Sequence, residues 1–500
     1  MAAKPRNILF ITADEMRGDA PSFMGNPDCQ MPRLDALAAR GSVLEKHFCV
    51  FPKCVPSRVS MHTGRYTHTE GYRSVMGDNH MPRGQPNMLE QLREAHGYET
   101  CMFGLNHVFE SDWFYGDNEP FQGAVDYHSF INGPLREMAM QPRTYPPRDP
   151  QGPPVLEELD VDYGGCATGT KEGFLDENRC DQAIHYLANL RNPDKPFFLQ
   201  LNISKPHPIY EVCEPYYSMY DRAALTPFPH ELPQNAPLPL RAQRTHRLGE
   251  TVSEEVLREL QAVYYGMCSF VDHHIGRVLD CLQQQGLEDE TLVIFTSDHG
   301  DFAGQYGINE KWDTMMTDCL LHVPFVIAGP GIPEGKRFGA LTEQVDLPAT
   351  WFEYLGLENQ DPHWHWHGES LLPVLEGQPG KGAVFADGGH EAPMRARFDR
   401  PAWEEKGGRR IKATGGKQLT YQEAPDAMAR AKMIRTQEWK LVVREIGGNE
   451  LYHLTEDRWE LKNLYGQPGT ESITLELQRG LLEWCLRTDT DRPYIQNVGA

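Results

Sequence analysis

The sequence has no long hydrophobic run. No segment approaches the roughly 20 apolar residues that a helix needs to cross a bilayer. The longest apolar run near the start, Ile8 to Ile11, is too short for the core of a secretory signal peptide, and Asp14 follows it closely. We therefore expect a cytoplasmic protein without a membrane partner.

Basic residues are scarce. The 500 residues include 48 Lys and Arg against 71 Asp and Glu, which gives a formal net charge of -23 at pH 7. This charge argues against nucleic acid as a partner, because phosphate contacts need a concentrated basic face. A small anionic substrate would also be repelled at long range, so an anion site must be built from local cations and a metal ion.

The cysteines lack the spacing of a disulfide framework. There are eleven of them, an odd number, and they are spread through the chain without a regular interval. We expect most of them to be reduced and buried as small apolar residues. Cys54 is the exception, because of the residues that follow it.

Short apolar runs alternate with helical patterns over most of the chain. The sequence predicts strands at 7–12, 99–104, 197–202, 292–296 and 325–328, and helices at 32–40, 88–95 and from Thr251 to about Gln285. Thr251 and Glu254 have the spacing of a capping box, and Gly286 fits the position after a helix end. This alternation predicts an α/β fold with a mostly parallel sheet between helices.

The pattern changes toward the C-terminus. Two antiparallel strands are predicted at 439–443 and 450–454, around a Gly447-Gly448 turn, and a helix at about 472–486. We therefore divide the chain into a catalytic α/β domain, residues 1–385, and a small C-terminal α+β subdomain, residues 386–500. The extended C-terminal segment also favours a homodimer or homotetramer.

Cys54 begins the strongest local motif. The segment Cys54-Val55-Pro56-Ser57-Arg58 is followed by Thr63-Gly64-Arg65. Proline and serine after the cysteine can start a helix, which places Arg58 one turn later on the same face. A helix N-terminus beside a guanidinium group is an anion site. The motif differs from the phosphate loop of cysteine phosphatases, which needs arginine where Ser60 stands.

Carboxylates follow two of the predicted strands. Asp14 and Glu15 come after the first strand, and Asp298, His299 and Asp301 come after the strand at 292–296. Ligands bind outside the carboxyl ends of the strands in open parallel sheets. Two such strand ends, one of them beside an imidazole, can hold a divalent cation.

Taken together, these segments resemble the sulfatase family of the alkaline-phosphatase superfamily over nearly the whole chain. The signature Cys-x-Pro-Ser-Arg, with Thr-Gly-Arg shortly after, stands intact from Cys54 to Arg65. The resemblance implies an alkaline-phosphatase-like sandwich and a formylglycine made from Cys54 by a maturation enzyme. It further implies a metal held by Asp14, Asp298, His299 and the modified Cys54, and active-site roles for three residues matched to family segments: His107, His207 and Lys311.

Three positions depart from the family pattern. The family often has two adjacent aspartates after the first strand, whereas the second residue here is Glu15, which either ligates the metal or only neighbours the site. Asp298-His299 replaces the frequent Asp-Asn and resembles the choline-sulfatase and phosphonate-monoester-hydrolase branches. Ca²⁺ is the expected ion, with Mn²⁺ as the alternative because of the imidazole. Leu105 replaces a lysine that would normally hold the sulfuryl group.

The resemblance implies hydrolysis of small anionic sulfate esters, with release of an alcohol or phenol and sulfate. One hydroxyl of the formylglycine hydrate attacks sulfur, with Arg58 holding the hydrate and Asp298 helping to take the proton. His207 or Lys311 protonates the leaving alcohol, and His107 removes the proton from the second hydroxyl. The sulfate then leaves as the aldehyde re-forms, which a plain Ser or Cys could not achieve.

Other functions stay open. A phosphonate monoester or phosphate diester hydrolase of the same branch would share the nucleophile, the Asp-His pair and the general layout. A decayed anion-binding relative would require the loss of some of Cys54, Arg58, Asp298 and His207, and all four are present. In a third alternative, Cys54 is never modified and the chain is an inert metal-binding protein.

Overall fold

The computed structural model describes residues 7–73, 80–82, 84–109, 124–125, 142–145, 163–172, 175–247, 249–390, 403–406, 409–412, 420 and 423–489. The strands are β1 (Asn7–Asp14), β2 (Ser42–Phe48), β3 (Glu99–Gly104), β4 (Ala124–Val125), β5 (Pro142–Tyr145), β6 (Tyr163–Ala167), β7 (Gly169–Glu172), β8 (Phe197–Pro206), β9 (Tyr210–Cys213), β10 (Thr291–Ser297), β11 (His322–Val323), β12 (Phe325–Ala328), β13 (Lys336–Glu343), β14 (Val384–Gly388), β15 (Trp403–Lys406), β16 (Arg409–Lys412), β17 (Ala431–Arg435), β18 (Trp439–Arg444) and β19 (Glu450–His453). The helices are α1 (Pro32–Ala39), α2 (Cys54–Thr63), α3 (Thr67–Glu70), α4 (Met88–Glu90), α5 (Leu175–His185), α6 (Leu238–His246), α7 (Glu254–Gln284), α8 (Asp318–Leu321), α9 (Leu347–Leu355), α10 (Leu372–Leu375) and α11 (Glu471–Thr488).

β1 lies inside a nine-stranded sheet. Within the described ranges, the strand order is β11-β2-β12-β10-β1-β8-β3-β4, with β13 paired to β2. The pairs of β1 with β8 and β10, and of β3 with β8 and β4, are parallel, whereas β12 runs antiparallel to β10 and β2. The predicted α/β fold with a mostly parallel sheet is confirmed.

Alternate residues of β1 face opposite layers of helices. Leu9 and Ile11 belong to a buried cluster with residues of α1, α5 and α7, whereas Ile8 and Phe10 belong to a second cluster with residues of α2 and α9. The buried ring of Trp351 meets Phe10 edge-on, with ring centroids 5.0 Å apart. Because both faces of the strand are covered, its sequence is continuously apolar rather than alternating.

The long helix α7 differs from its prediction at the first turn. The predicted capping box of Thr251 and Glu254 is wrong, because Ser253 caps the helix and its Oγ accepts a hydrogen bond from the Val256 backbone N–H at 3.3 Å. Its predicted end is confirmed, since Gly286 follows the helix with a φ of 67°. None of the described helices is both long enough and apolar enough to cross a membrane.

A second, antiparallel sheet has the order β14-β17-β18-β19 and packs against α11. The indole ring of Trp484, in α11, stacks on Phe385 in β14 with ring centroids 4.9 Å apart. The predicted strands and helix of the C-terminal part are therefore present. The predicted division between residues 385 and 386 falls inside β14, and the two-domain division itself stays a prediction.

Most of the cysteines are buried, as predicted. Nine of the eleven are buried and the other two, Cys166 and Cys485, are partly exposed, and no disulfide joins any pair of them. Cys54 is 2% exposed. Its neighbours, rather than its burial, distinguish it from the other cysteines.

Gly104 controls how the chain leaves β3 toward His107. Its φ is 102°, in the region that favours glycine, and a Cβ at this position would collide with the backbone carbonyl oxygen of Asn202 in β8. β3 and β8 are paired at this point. A side chain at position 104 would therefore push β3 away from β8 and displace the loop that follows.

Gly104→Ala should destabilise the fold more than Gly97→Ala does. Gly97 also has a positive φ, 71°, but nothing lies within 4 Å of its Cβ position, so this variant measures backbone strain alone. We expect a loss of about 1 kcal/mol for Gly97→Ala and of at least about 3 kcal/mol for Gly104→Ala, which adds the collision. Urea unfolding of both variants checks this, and equal losses would contradict it.

Candidate active site

Four side chains converge at the carboxyl edge of the large sheet. The Sγ atom of Cys54 lies 3.6 Å from Oδ1 of Asp14 and 3.3 Å from Nε2 of His299. The same Nε2 atom lies 3.8 Å from Oδ1 of Asp14 and 3.8 Å from Oδ1 of Asp298. One potential ligand atom from each of the four residues lies within 4.8 Å of all the others. The residues that the sequence assigned to the metal are thus brought together.

The parallel pairing of β1 and β10 explains this convergence. Ala13 and Ser297 are register partners at the ends of the two strands, so the residues that follow emerge side by side. The backbone N–H of Asp298 donates to the carbonyl oxygen of Ala13 at 3.2 Å, and the N–H of Glu15 donates to Oδ1 of Asp298 at 3.2 Å. The two strand ends are therefore locked to each other.

Helix α2 brings the cysteine and the arginine of the motif to the same place. Cys54 is its first residue, and Arg58 stands one turn later and is fully buried. The guanidinium Nε donates to Oδ2 of Asp298 at 2.8 Å, and Nη2 donates to Oδ2 of Asp14 at 3.4 Å. A third hydrogen bond runs from Nη1 to Oγ1 of Thr12 at 3.1 Å. Arg58 therefore joins the carboxylates of both strand ends.

The charges around Cys54 oppose a thiolate. Burial raises the pKa of the Cys54 thiol well above its usual value, and the carboxylates of Asp14 and Asp298 raise it further. Burial would also raise the pKa of Asp14, but electrostatic interaction with His207, Arg58 and Lys311 holds it below its usual value. In the absence of a bound cation, these interactions favour the protonated form of the unmodified Cys54 thiol, which is a weak nucleophile.

The donor set fits a divalent cation. It offers carboxylate oxygens from Asp14 and Asp298, an imidazole nitrogen from His299 and the side chain of residue 54, all of them almost fully buried. Nδ1 of His299 lies 2.9 Å from the carbonyl oxygen of Gly300, which fixes the ring and leaves Nε2 facing the group. Buried carboxylates without a full set of cations are unfavourable, and a metal ion would supply the missing charge.

Three more of the predicted residues form a second group beside the first. The carboxylate of Glu15 contacts the Nζ atom of Lys311, and its Oε1 lies 3.6 Å from Nε2 of His207. The Lys311 side chain is 3% exposed, and burial lowers its pKa to about 8, despite the opposing carboxylates of Asp14 and Asp313. This lysine can therefore give up a proton near neutral pH.

His107 has one buried ring nitrogen without a hydrogen-bonding partner among the described residues. Its Nδ1 atom is buried and has no hydrogen bond within the described part of the chain. Burial lowers the pKa of His107 to about 4. The carboxylate of Asp14 acts to raise this pKa, and the cation of Arg58 acts to lower it. The ring is neutral at neutral pH and can accept a proton. Leu105, two residues earlier, meets β8 through its carbonyl oxygen, which accepts from Nδ2 of Asn202 at 2.7 Å.

The sequence reasoning missed a buried charged cluster beside Cys54. Nζ of Lys53 lies 2.8 Å from Oδ1 of Asp313, and Nε2 of His390 lies 3.1 Å from Oδ2 of the same carboxylate. Burial would raise the pKa of Asp313, but Lys53 and His390 hold it well below its usual value. Lys53 directly precedes the motif and could have been found from that position. His390 follows β14, and no local pattern marks it.

A cation site built from two strand ends and a helix N-terminus at the edge of an α/β sheet defines a class of protein, the metal-dependent hydrolases of the alkaline-phosphatase type. Residues 6–357 match the model of the sulfatase family. The chain therefore belongs to the sulfatase family and is a sulfuric ester hydrolase.

Relatives and solved structures agree with this family. The chain is 26% identical over 384 residues to an arylsulfatase of Clostridium perfringens, covering 74% of this chain and 78% of the relative. It is 25% identical over 481 residues to arylsulfatase K of Mus musculus, covering 92% and 76%. The fold is similar to the crystal structure of a phosphonate monoester hydrolase of Agrobacterium radiobacter, with a TM-score of 0.71, 22% identity and coverage of 97% and 96%.

Asp313→Asn should cost stability at neutral pH and much less in acid. The folded-state pKa of Asp313 is depressed, so its contribution is present above the unfolded pKa, about 3.9, and is lost as pH falls through the folded value. We expect the variant to lose about 3 kcal/mol at pH 7, because Lys53 is left buried without its partner. Urea unfolding over a pH series from 7 to well below the unfolded pKa of Asp313 measures the decline of this contribution.

Glu483→Gln is the control for Asp313→Asn. Glu483 pairs with Arg479 on the surface, where their side chains are 54% and 79% exposed. Water and salt screen such a pair, so we expect a change within about 0.5 kcal/mol across the same pH series. A loss for Asp313→Asn that does not depend on pH would contradict the proposed charge interaction.

Proposed function

We propose that this sulfatase hydrolyses small anionic sulfate monoesters through a formylglycine made from Cys54, with release of an alcohol or phenol and inorganic sulfate. The observation that carries the proposal is the meeting of Cys54 with Asp14, Asp298 and His299 in one buried group. An unmodified thiol at this position has no second hydroxyl with which to release the product. A hydrated aldehyde at the same position offers two hydroxyls, one to attack sulfur and one to release the product.

The residues around Cys54 supply what the attack on sulfur needs. A divalent ion held by Asp14, Asp298, His299 and residue 54 would neutralise the sulfuryl oxygens and make a bound hydroxyl more acidic. Arg58 orients the hydrate, because its guanidinium is fixed between Asp14 and Asp298. Asp298 accepts the proton of the attacking hydroxyl. The new bond to sulfur forms as the bond to the alcohol oxygen breaks.

Proton transfers complete the proposed cycle. His207 or Lys311 donates a proton to the departing alcohol, and both lie beside Glu15 at the same edge of the sheet. His107 then takes the proton of the second hydroxyl, which its neutral ring permits. The aldehyde re-forms and the bond to sulfate breaks. General acid and base groups of this kind typically contribute about 10²–10⁴-fold to a rate.

The identity of the ion, the location and the assembly stay predictions. Ca²⁺ is the proposed ion, because carboxylates supply two of the ligands, and Mn²⁺ is the alternative, because His299 supplies a nitrogen. We also propose a cytoplasmic homodimer or homotetramer that meets a formylglycine-generating maturation enzyme. Metal analysis of the purified protein tests the identity of the ion, and its mass in solution tests the assembly.

The second candidate is hydrolysis of phosphonate monoesters or phosphate diesters at the same site. One observation favours it: the fold is similar to that of a phosphonate monoester hydrolase. The two reactions share every residue named above. Substrate preference therefore decides between them.

A substrate comparison tests the proposed function. We expect kcat/KM for an aryl sulfate to exceed that for an aryl phosphodiester with the same phenol by at least about 10-fold. The protein is produced together with a formylglycine-generating enzyme and loaded with Ca²⁺ or Mn²⁺. A preference of the same size for the diester would establish the second candidate instead.

Cys54→Ser should stop the reaction after one turnover. A serine hydroxyl can attack sulfur but has no second hydroxyl to expel sulfate, so the variant should accumulate a sulfated peptide that mass spectrometry detects. The wild-type peptide should instead carry an aldehyde in place of the thiol. Cys49→Ala is the control, since this buried thiol bonds the carbonyl oxygen of Leu320 and should leave turnover intact. Multiple turnovers by Cys54→Ser would defeat the scheme.

A further inference from the structure

The backbone of Glu15 is held in an unusual conformation. Its φ is 68°, in the left-handed region that residues with a side chain rarely adopt. Its N–H donates to Oδ1 of Asp298 at 3.2 Å, and its carbonyl oxygen accepts from the hydroxyl of Tyr264 at 2.7 Å. Tyr264 is itself fully buried in α7. Strain that is fixed from both sides indicates that the direction of the side chain matters.

The Glu15 carboxylate is outside the set of four mutually close donors around Cys54, although it lies within 4.8 Å of ligand atoms of Asp14 and His207. The four mutually close donors are Asp14, Cys54, Asp298 and His299, and within the described residues Glu15 groups instead with Asp14 and His207. The carboxylate is fully buried, and it contacts Nζ of Lys311. Oε1 of Glu15 also lies 3.6 Å from Nε2 of His207.

We propose that Glu15 is a positioning residue that holds Lys311 and His207 against the departing alcohol, and that it is not a ligand of the metal. The inference rests on the proposed function, in which these two groups protonate the leaving group. Of the two alternatives that the sequence left open for position 15, the inference takes the one in which Glu15 only neighbours the metal site. The extra methylene of glutamate, compared with aspartate, gives the carboxylate its reach to the lysine.

The buried charge of Lys311 explains why a carboxylate lies beside it. Lys311 is an almost fully buried cation, and a buried ammonium without a partner would lose either its proton or its place. Leu105 offers the substrate no charge. Stabilisation of the leaving oxygen therefore depends more strongly on the orientation of Lys311 and His207. A residue that orients an acid affects poor leaving groups most, because good ones depart without a proton.

A series of aryl sulfates whose phenols differ in acidity tests the inference with Glu15→Gln. We expect kcat/KM to fall about 100-fold for phenyl sulfate and less than about 10-fold for para-nitrophenyl sulfate. Metal affinity, measured by calorimetry on the formylglycine-containing protein, should change less than about 3-fold. Equal losses for all the esters, together with a metal affinity lowered about 10-fold or more, would make Glu15 a ligand and overturn the inference.

Glu15→Asp and a double variant sharpen the test. If Glu15 positions Lys311, Glu15→Asp should show the same leaving-group dependence as Glu15→Gln, because the shorter carboxylate does not reach the lysine. If Glu15 is a metal ligand, Glu15→Asp should keep the activity that Glu15→Gln loses, because aspartate is common in the family at this position. The losses from Glu15→Gln and Lys311→Met should not add in the double variant, because both changes remove the same function. Additive losses would contradict the inference.

Glu310→Gln is the matched control. Glu310 also has a positive φ, 62°, and its Oε1 lies 4.0 Å from Nζ of Lys311, but its side chain is partly exposed. We expect kcat/KM to change less than about 3-fold for every ester, because a more distant and solvated carboxylate orients the lysine weakly. A leaving-group dependence as large as that of Glu15→Gln would remove the special role of Glu15.

Failure of the proposed function is distinguishable from failure of the inference. If the formylglycine-containing protein cleaves aryl phosphodiesters and not sulfates, the proposed function fails, and the same leaving-group comparison is made with diesters. If it cleaves neither, metal affinity alone decides, since an unchanged affinity in Glu15→Gln supports the inference and a lowered one overturns it. If the protein is an active sulfatase and Glu15→Gln lowers kcat/KM equally for all the aryl sulfates, only the inference fails.

Discussion

The site depends on one buried cation between two buried carboxylates. Arg58 is fully buried and bonds both Asp14 and Asp298, which stand at the ends of two parallel strands. Breaking a buried ion pair costs far more than breaking an exposed one, because the partner is left without solvation. The guanidinium thus fixes helix α2 to the sheet and, one turn earlier, the position of Cys54. Residues from distant parts of the chain that could hold a metal ion are kept close together by this contact.

Much of the fold follows from short-range patterns in the sequence. β1, β3, β8, β10 and β12 are buried over most of their length, and each contains a short apolar stretch that the sequence reveals. β2 and β13 were missed because their exposed and half-buried positions carry charged residues, such as Glu45 and Lys336, which break the apolar pattern. The chemical motifs located the metal group, since strand ends in a parallel sheet necessarily meet at one edge.

Other features of the site lie beyond any local pattern. Whether Glu15 faces the cation or Lys311 depends on one backbone torsion that Tyr264 and Asp298 fix from elsewhere in the chain. The Lys53, Asp313 and His390 cluster joins three segments that the sequence gives no reason to connect. His390 lies two residues beyond β14, and its backbone N–H donates to the carbonyl oxygen of Met428 at 2.8 Å. A residue that follows the second sheet thereby reaches Asp313 beside the candidate site.

The burial of Cys54 fixes an order of events in the life of the protein. Its side chain is 2% exposed and enclosed by a helix and two strand ends, so no other protein's active site could grip the segment once the chain has folded. Under the proposed function, conversion of the thiol to formylglycine therefore takes place on a nascent or unfolded chain. A molecule that folds first would keep the thiol, and the share of competent molecules in a preparation would depend on the relative rates of folding and modification.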